Sequence, residues 1–341
     1  MYDIRVAVVI LNWNGEKFLH KFLPGVMSAL PDYARVFVAD NGSTDGSVAF
    51  LKQNYPQVAL VLLDKNYGFA GGYNKALKNI DAEYFVLLNS DILVSGGWIE
   101  KIIDFMEKDK TVACCQPKIL SYYQPQFFEY AGAAGGFIDY LGYPFCRGRI
   151  FDTQEKDNGQ YDKPSEVFWA SGACLFLRSK AFYDVSGFDD DFFAHMEEID
   201  MCWRMKRVGW RVFSCPQSVV FHVGGGTLPK NNPYKTFLNF RNSHYMLAKN
   251  LNNSRFILFF ITRLLLDILA AFQFLFKGQT KDFLAVWKAL FAALSMMKEN
   301  RRKFKTLPNV NVKGVFQRSI VKYYFLNGEK KFSDLKSEYF T

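Results

Sequence analysis

The chain has 341 residues and a net charge of +9, with half of its residues apolar and 22% charged, so it is a folded globular protein and not a disordered one. That length accommodates one large domain with an appendage, or two domains. Residues 1–254 carry 26 basic and 27 acidic side chains, whereas residues 255–341 carry 16 and 6, so the whole excess lies in the last quarter and implies an anionic partner there, nucleic acid or a membrane surface.

The N-terminus, MYDIRVAVVILNWN, shows no basic segment leading into an apolar core and cleavage site, so no secretion signal is expected. Strand-like runs follow at 6–12, 34–40, 58–63 and 84–89, rich in Val, Leu, Ile and Phe without polar alternation, as in parallel strands covered on both faces. Helix-like segments separate them at about 16–29, 44–54, 71–80 and 96–108, with Ser43-Thr44-Asp45 as a cap for the second. This rhythm predicts an α/β fold with a doubly wound sheet, whose ligands bind at the carboxyl ends of the strands. Those ends carry Asn12-Trp13-Asn14-Gly15, Asp40-Asn41-Gly42-Ser43, Asp64-Lys65-Asn66-Tyr67-Gly68 and Asn89-Ser90-Asp91. One such cluster is an ordinary polar turn; four on one rim make a ligand site.

From 117 to 165, Tyr, Gly, Pro and Phe dominate, and we expect irregular structure lining an acceptor site. Regularity returns with a strand at 167–179, a helix holding HMEEIDMCWRMKR, and strands at 210–215 and 219–226. The six cysteines lie mostly in apolar stretches without Cys-x-x-Cys spacing, as reduced core residues of a cytosolic protein do. Residues 255–276 are strongly apolar, interrupted by Arg263 and Asp267 on one helix face. Phe283, Trp287, Leu290, Phe291 and Leu294 then recur at helical spacing, and KENRRKFK is a basic run. Two amphipathic helices with a basic cluster read as a membrane-surface anchor; packing on the main domain or a subunit, and a true transmembrane span, are the alternatives.

An acid at a strand end, such as Asp91, suits a hard cation, Mg²⁺ or Mn²⁺, that bridges phosphates. Lys65 and the Gly68, Gly71 and Gly72 stretch, leading into a helix, are placed to approach phosphates closely. Neither Gly-x-Gly-x-x-Gly nor a P-loop is present. Glu197, Glu198 and Asp200 are either a solvated acidic helix start or, within the apolar FFAHMEEIDMCW, carboxyls with raised pKa that serve as bases. His222 is a core imidazole or, beside a metal, a ligand.

The pieces VVILNWNG, VADNGSTDGS, NYGFAGGYNKAL, VLLNSDILV, WASGACLFLRSKAF, GFDDDFFAHMEEIDMCWRMKRVGWR and FHVGGGT, in this order over residues 6–227, resemble an inverting family 2 glycosyltransferase of the GT-A fold, most like bacterial rhamnosyltransferases. The resemblance implies a GT-A-type mixed sheet over 1–250, with a donor half to about 116 and an acceptor half from 117, followed by C-terminal amphipathic helices in a basic region, 251–341. It implies that Asp40 contacts the donor nucleobase, that Asn12 shares its pocket, and that Asn66, Gly68 and Asn89 border the nucleotide-sugar. Asp91 then matches the last acid of the metal motif, here its only carboxylate, with His222 near metal and diphosphate. Trp169, Gly172 and Glu197 match the acceptor side. The family's base is the Asp of a Glu-Asp pair; here the pair is Glu197-Glu198, so Glu198 takes that position and Asp200 is the fallback.

These expectations describe a metal-dependent enzyme on the inner face of the cytoplasmic membrane, using a dTDP- or UDP-type donor and a glycan or lipid-linked glycan acceptor, with no nucleic-acid partner and self-association left open. The competing readings are a non-catalytic nucleotide-sugar scaffold, a glycoside hydrolase, which also needs paired carboxylates but not the nucleotide motifs, and a nucleic-acid binder.

Overall fold

The structure, a computed structural model, describes residues 2, 4–224, 232–308 and 310–341, with 253–255 described by backbone alone. Gly225, Gly226 and Thr227 of the FHVGGGT motif lie outside the described residues.

The first half alternates as its sequence predicts: β1 (Ile4–Asn12), α1 (Glu16–Ser28), β2 (Ala34–Asp40), α2 (Ser47–Asn54), β3 (Ala59–Leu62), α3 (Gly68–Leu77) and β4 (Ala82–Asn89). β1 pairs in parallel with β2 and β4, and β2 with β3. The unbroken apolar runs are buried on both faces, so no polar alternation is needed. α2 starts later than predicted, and Asp45 accepts from the Ser47 backbone N–H at its first turn.

The chain continues through β5 (Ile92–Val94), α4 (Trp98–Lys108) and β6 (Val112–Ser121). Residues 122–166 are irregular over most of their length, as expected, but not throughout. They form short strands β7 (Gly136–Asp139), β8 (Pro144–Cys146), β9 (Arg149–Ile150), β10 (Thr153–Gln154) and β11 (Ser165–Glu166). The predicted strand at 167–179 is regular only as β12 (Cys174–Arg178), followed by α5 (Ser179–Asp184), α6 (Glu197–Arg207) and β13 (Arg211–His222). β13 joins the two predicted strands through an irregularity between Cys215 and Val219. The main sheet runs β11-β13-β6-β12-β4-β1-β2-β3, with β5 beside β13. β12 is antiparallel to both β4 and β6, which makes the sheet mixed. All six cysteines are free and buried.

The remainder holds α7 (Pro233–Asn250), α8 (Asn253–Phe276), α9 (Thr280–Ser295), α10 (Met297–Arg302) and β14 (Val315–Phe316). β14 pairs with β7 and completes a second sheet, β10-β9-β8-β7-β14. The tail past Arg302 therefore packs on the main body. α8 is inverted relative to a soluble helix. Two of its charged residues are buried, Arg263 at 2% and Asp267 at 1% exposure, while Leu265 and Leu269 are 60% and 64% exposed. Arg263 lies 3.8 Å over the Tyr143 ring and donates to the Leu141 carbonyl, and Asp267 accepts from His244 and Tyr143. Ile257, Leu258, Ile261 and Phe276 extend the outward apolar face, and Leu284, Phe291 and Leu294 of α9 are exposed as well. Leu290 of the predicted α9 stripe is buried instead, with Phe283 and Trp287 packed beside it.

Candidate active site

The rim at the carboxyl ends of β1, β2 and β4 holds the donor-side residues. Asn12 and Asp40 are register partners on β1 and β2, and Asn12 Nδ2 donates to Asp40 Oδ2 at 3.0 Å. The other Asp40 oxygen accepts from the Ser43 backbone N–H at 2.9 Å. Both side chains are buried, and Asn12 Oδ1 has no partner among the described residues. Gly15 permits this approach, since a Cβ there would lie 2.4 Å from that oxygen.

The loop after β3 is held by Asn41, which the sequence placed in a cluster but not in the site. Asn41 Nδ2 donates to Asn66 Oδ1 and the Gly68 carbonyl, and its Oδ1 accepts from the Tyr67 N–H. Gly68 is required twice: its φ is +71°, and a Cβ would sit 2.3 Å from the Phe193 carbonyl. This corrects the expected phosphate cradle. The Gly68 N–H goes to Asn66, and the Phe69 and Ala70 N–H groups both go to the Phe193 carbonyl, so these amides are taken. Gly72 serves packing, because a Cβ there would meet Leu11 at 2.9 Å. Lys65 lies 5.2 Å over the exposed-edge Tyr67 ring.

Asp91 and His222 come together because β5 pairs with the end of β13, with Ile92 opposite His222. His222 Nε2 lies 3.2 Å from Asp91 Oδ1, and its Nδ1 lies 3.1 Å from Glu129 Oε2. Burial disfavours the charged imidazole, but the two flanking carboxylates outweigh it and push its pKa up to about 10. Sequence reasoning missed Glu129. One carboxylate oxygen from the turn between β4 and β5 and one imidazole nitrogen from the end of β13 fit Mn²⁺ or Mg²⁺ when phosphate oxygens and water complete the shell. Among the described residues no cluster of three His, Cys, Asp or Glu side chains forms a self-sufficient cage.

The acidic helix start places Glu197 and Glu198 in the first turn of α6. The Asn89 N–H donates to the Ala173 carbonyl at 3.0 Å, and the Gly172 N–H lies close enough to Glu198 to favour its charged form, so residues 172–173 lie between the Asn89-Ser90-Asp91 turn and Glu198. Gly172 has no room for a side chain, with the Phe69 ring 2.7 Å from a Cβ position. Glu198 Oε2 has no partner among the described residues. Burial raises its pKa to about 7, although backbone N–H groups oppose the shift. Glu197 is more deeply buried, and burial together with the neighbouring Glu198 drives its pKa well upward. Asp200 is different. It is fully buried, accepts from Arg204 Nε at 2.9 Å and Asn250 Nδ2 at 2.8 Å, and lies 3.1 Å from Lys249 Nζ. A carboxylate so fully engaged is not free to take a proton, which argues against the fallback base. Trp169 is also committed, donating from Nε1 to the Phe137 carbonyl and packing flat on Gly136, where a Cβ would come within 2.0 Å of its ring.

The turn before α6 is strained: Phe193, His195 and Met196 have φ of 62°, 71° and 73°. Asn242 of α7 holds it, donating from Nδ2 to the carbonyls of Phe192, Ala194 and His195 at 2.9, 2.9 and 2.7 Å.

Comparison with known proteins places the chain in a family and a fold. The chain is 28% identical over 240 residues to the N-acetylglucosaminyl-diphospho-decaprenol L-rhamnosyltransferase of Mycobacterium tuberculosis, covering 65% of this chain and 76% of that protein. It is 21% identical to the low-salt glycan biosynthesis hexosyltransferase Agl10 of Haloferax volcanii, over 72% of this chain and 75% of that one. Among solved structures, GalNAc-T7 with UDP, GalNAc and Mn²⁺ superposes with a TM-score of 0.58 at 16% identity, covering 74% of this chain and 49% of that chain. The mannosyltransferase PcManGT of Pyrobaculum calidifontis, in complex with GDP-Man and Mn²⁺, gives 0.51 at 15% identity, covering 86% and 90%. These likenesses identify the mixed sheet as a GT-A fold. The glycosyl transferase family 2 model matches residues 7–184, more than half of the chain, and the protein is therefore a glycosyltransferase of family 2.

Proposed function

We propose that this glycosyltransferase moves a sugar, with inversion, from a nucleoside-diphosphate donor to a hydroxyl of a glycan or lipid-linked glycan at the inner membrane surface. The observation that carries this reading is Glu198: a half-buried residue whose Oε2 is buried and unpaired among the described residues, its pKa raised to about 7, with the Gly172 N–H beside it and Ala173 bonded to Asn89 of the turn that bears Asp91. A base with that pKa is half ionised near neutrality, where general-base catalysis works best.

Glu198 takes the proton of the acceptor hydroxyl as that oxygen attacks the anomeric carbon. The new C–O bond forms on one face while the bond to the diphosphate breaks on the other, so one displacement inverts the centre. Asp40 and Asn12 hold the nucleoside, and the unpaired Asn12 oxygen suits an N–H of the base. Asn66 and Gly68 border it, with Asn89 below the sugar. Glu197 keeps its proton and donates a hydrogen bond on the acceptor side, beside Gly172. Asp91 and His222 would hold Mg²⁺ or Mn²⁺, which when bound neutralises charge on the leaving diphosphate.

The rhamnosyltransferase named above makes a dTDP- or UDP-linked rhamnose the first donor to try, and a lipid-linked acceptor the first acceptor. The inverted α8 supports the membrane setting. Its inner face is tied to the body by Arg263 and Asp267, which supports a helix lying along a surface over one crossing a bilayer, although Phe256–Phe276 is long and apolar enough to cross. Lys277, Lys281 and Lys288 are exposed beside the apolar face and would meet anionic headgroups.

The test is a panel of nucleotide sugars with Mn²⁺ or Mg²⁺, with and without EDTA, measuring released nucleoside diphosphate in the presence of a membrane lipid extract. Metal-dependent release from one donor is expected. If no donor is turned over and none raises the melting temperature, the nucleotide-sugar site is wrong.

A further inference from the structure

We infer that Glu129 is a positioning residue that orients the imidazole of His222 toward Asp91 for metal and diphosphate binding. The inference rests on the metal reading proposed above.

Glu129 lies between β6 and β7, in FFEYAG, a stretch with no metal-motif spacing. It is buried, and its backbone N–H is tied to the Ile119 carbonyl at 3.0 Å, so the residue is fixed to the main sheet. Its Oε2 accepts from the Ala131 N–H and faces His222 Nδ1 at 3.1 Å. The chain after His222 closes over the other carboxylate oxygen: Gly224 has a φ of +73°, and a Cβ there would come within 2.8 Å of Glu129 Oε1. The backbone is therefore fixed by its bond to Ile119, and the carboxylate by a turn amide and a glycine-dependent close approach.

The two nitrogens of His222 thus face two different carboxylates. His222 Nδ1 lies 3.1 Å from Glu129 Oε2 without yet forming a well-aligned hydrogen bond, and an imidazole that turns slightly to donate its Nδ1 proton to Glu129 presents the Nε2 lone pair to the space it shares with Asp91. Outer carboxylates fix the tautomer and ring orientation of metal-binding histidines in this way, and their removal typically weakens metal binding about 10- to 100-fold. A purely structural role, neutralising a buried imidazole, predicts something different. It requires the charge of Glu129, whereas orientation requires only an acceptor in the same place.

The experiment is Mn²⁺ binding to the full chain without donor, followed by the electron paramagnetic resonance signal of free Mn²⁺. It compares wild type with Glu129→Ala, Glu129→Gln and His222→Ala, each first shown to be folded by circular dichroism. Glu129→Ala is expected to weaken Mn²⁺ binding about 10- to 100-fold and Glu129→Gln by less than about 3-fold. Affinity in Glu129→Ala within about 3-fold of wild type, while His222→Ala loses binding, overturns the positioning role and leaves the metal site standing. Equal losses in Ala and Gln overturn it in favour of charge neutralisation. Equal Mn²⁺ binding by wild type and His222→Ala, or none by wild type, overturns the metal reading and this inference with it.

Discussion

Replacing Glu198 by Gln should abolish the proposed base and, above neutral pH, stabilise the fold. The folded carboxyl has a pKa of about 7 against an ordinary value of 4.5, with burial the leading cause. The folded chain thus binds this proton more tightly than the unfolded chain, so ionisation of Glu198 subtracts stability as pH rises from about 4.5 to 7 and subtracts no more above that. At about 1.36 kcal/mol per pKa unit, the shift corresponds to about 3 kcal/mol, an upper figure because Gln gives up a backbone bond to a charged acceptor. Glu197 titrates in both proteins and largely cancels in the difference. Urea denaturation of the two proteins between pH 4.5 and 8.5 reads the effect. The variant should match wild type at the acid end, gain on it steadily to pH 7, and then hold a constant advantage. A stability difference that does not vary with pH, or one that favours wild type at pH 8, would refute the buried, ionisable base.

Three other perturbations separate the parts of the site. Asp200→Ala leaves Arg204 and Lys249 buried without their shared carboxylate and should lower stability by about 3–5 kcal/mol while the folded fraction, assayed at low temperature, retains turnover. Turnover lost with stability intact would return Asp200 to the list of bases. Asn242→Ala removes the bonds to three carbonyls around the left-handed turn, and kcat should fall at least about 10-fold with donor affinity unchanged, measured by calorimetry against steady-state rates. Glu substitution of both Leu265 and Leu269 should leave the fold intact and abolish pelleting with anionic liposomes; undiminished pelleting would move the membrane contact elsewhere.

The donor half was legible because its chemistry is local. Each of β1 to β4 is a short, largely apolar run, with β1, β2 and β4 ending in Asn or Asp and β3 running on to Asp64, and the parallel order follows from the helices between them. The acceptor half was not, because its strands are short and their partners distant. β12 slots between β4 and β6 in antiparallel sense, and β14 completes a sheet nearly two hundred residues away from its neighbour β7, pairings that no local pattern encodes. The same distance hid Glu129 and Asn242, whose roles exist only through contacts with His222 and with the turn before α6.

The glycines of α3 show a different limit. Their spacing is compatible with both a phosphate cradle and close packing, and only the hydrogen bonds to the Phe193 carbonyl decide for packing. The direction of α8 was written in the sequence as Arg263 and Asp267 four residues apart. The composition alone marks the helix as apolar, but whether the charged pair faces inward depends on Tyr143 and His244 being there to receive it.

The central claim is that Glu198 performs the chemistry on a donor bound elsewhere in the rim. The most direct test compares donor binding and sugar transfer in wild type and Glu198→Gln, using calorimetry for the nucleotide sugar and product formation for the transfer, at pH 8 with Mn²⁺. Donor affinity within about 3-fold of wild type and transfer lowered by at least about 100-fold are expected. Transfer that survives the substitution, or a loss explained entirely by weaker donor binding, would contradict that claim.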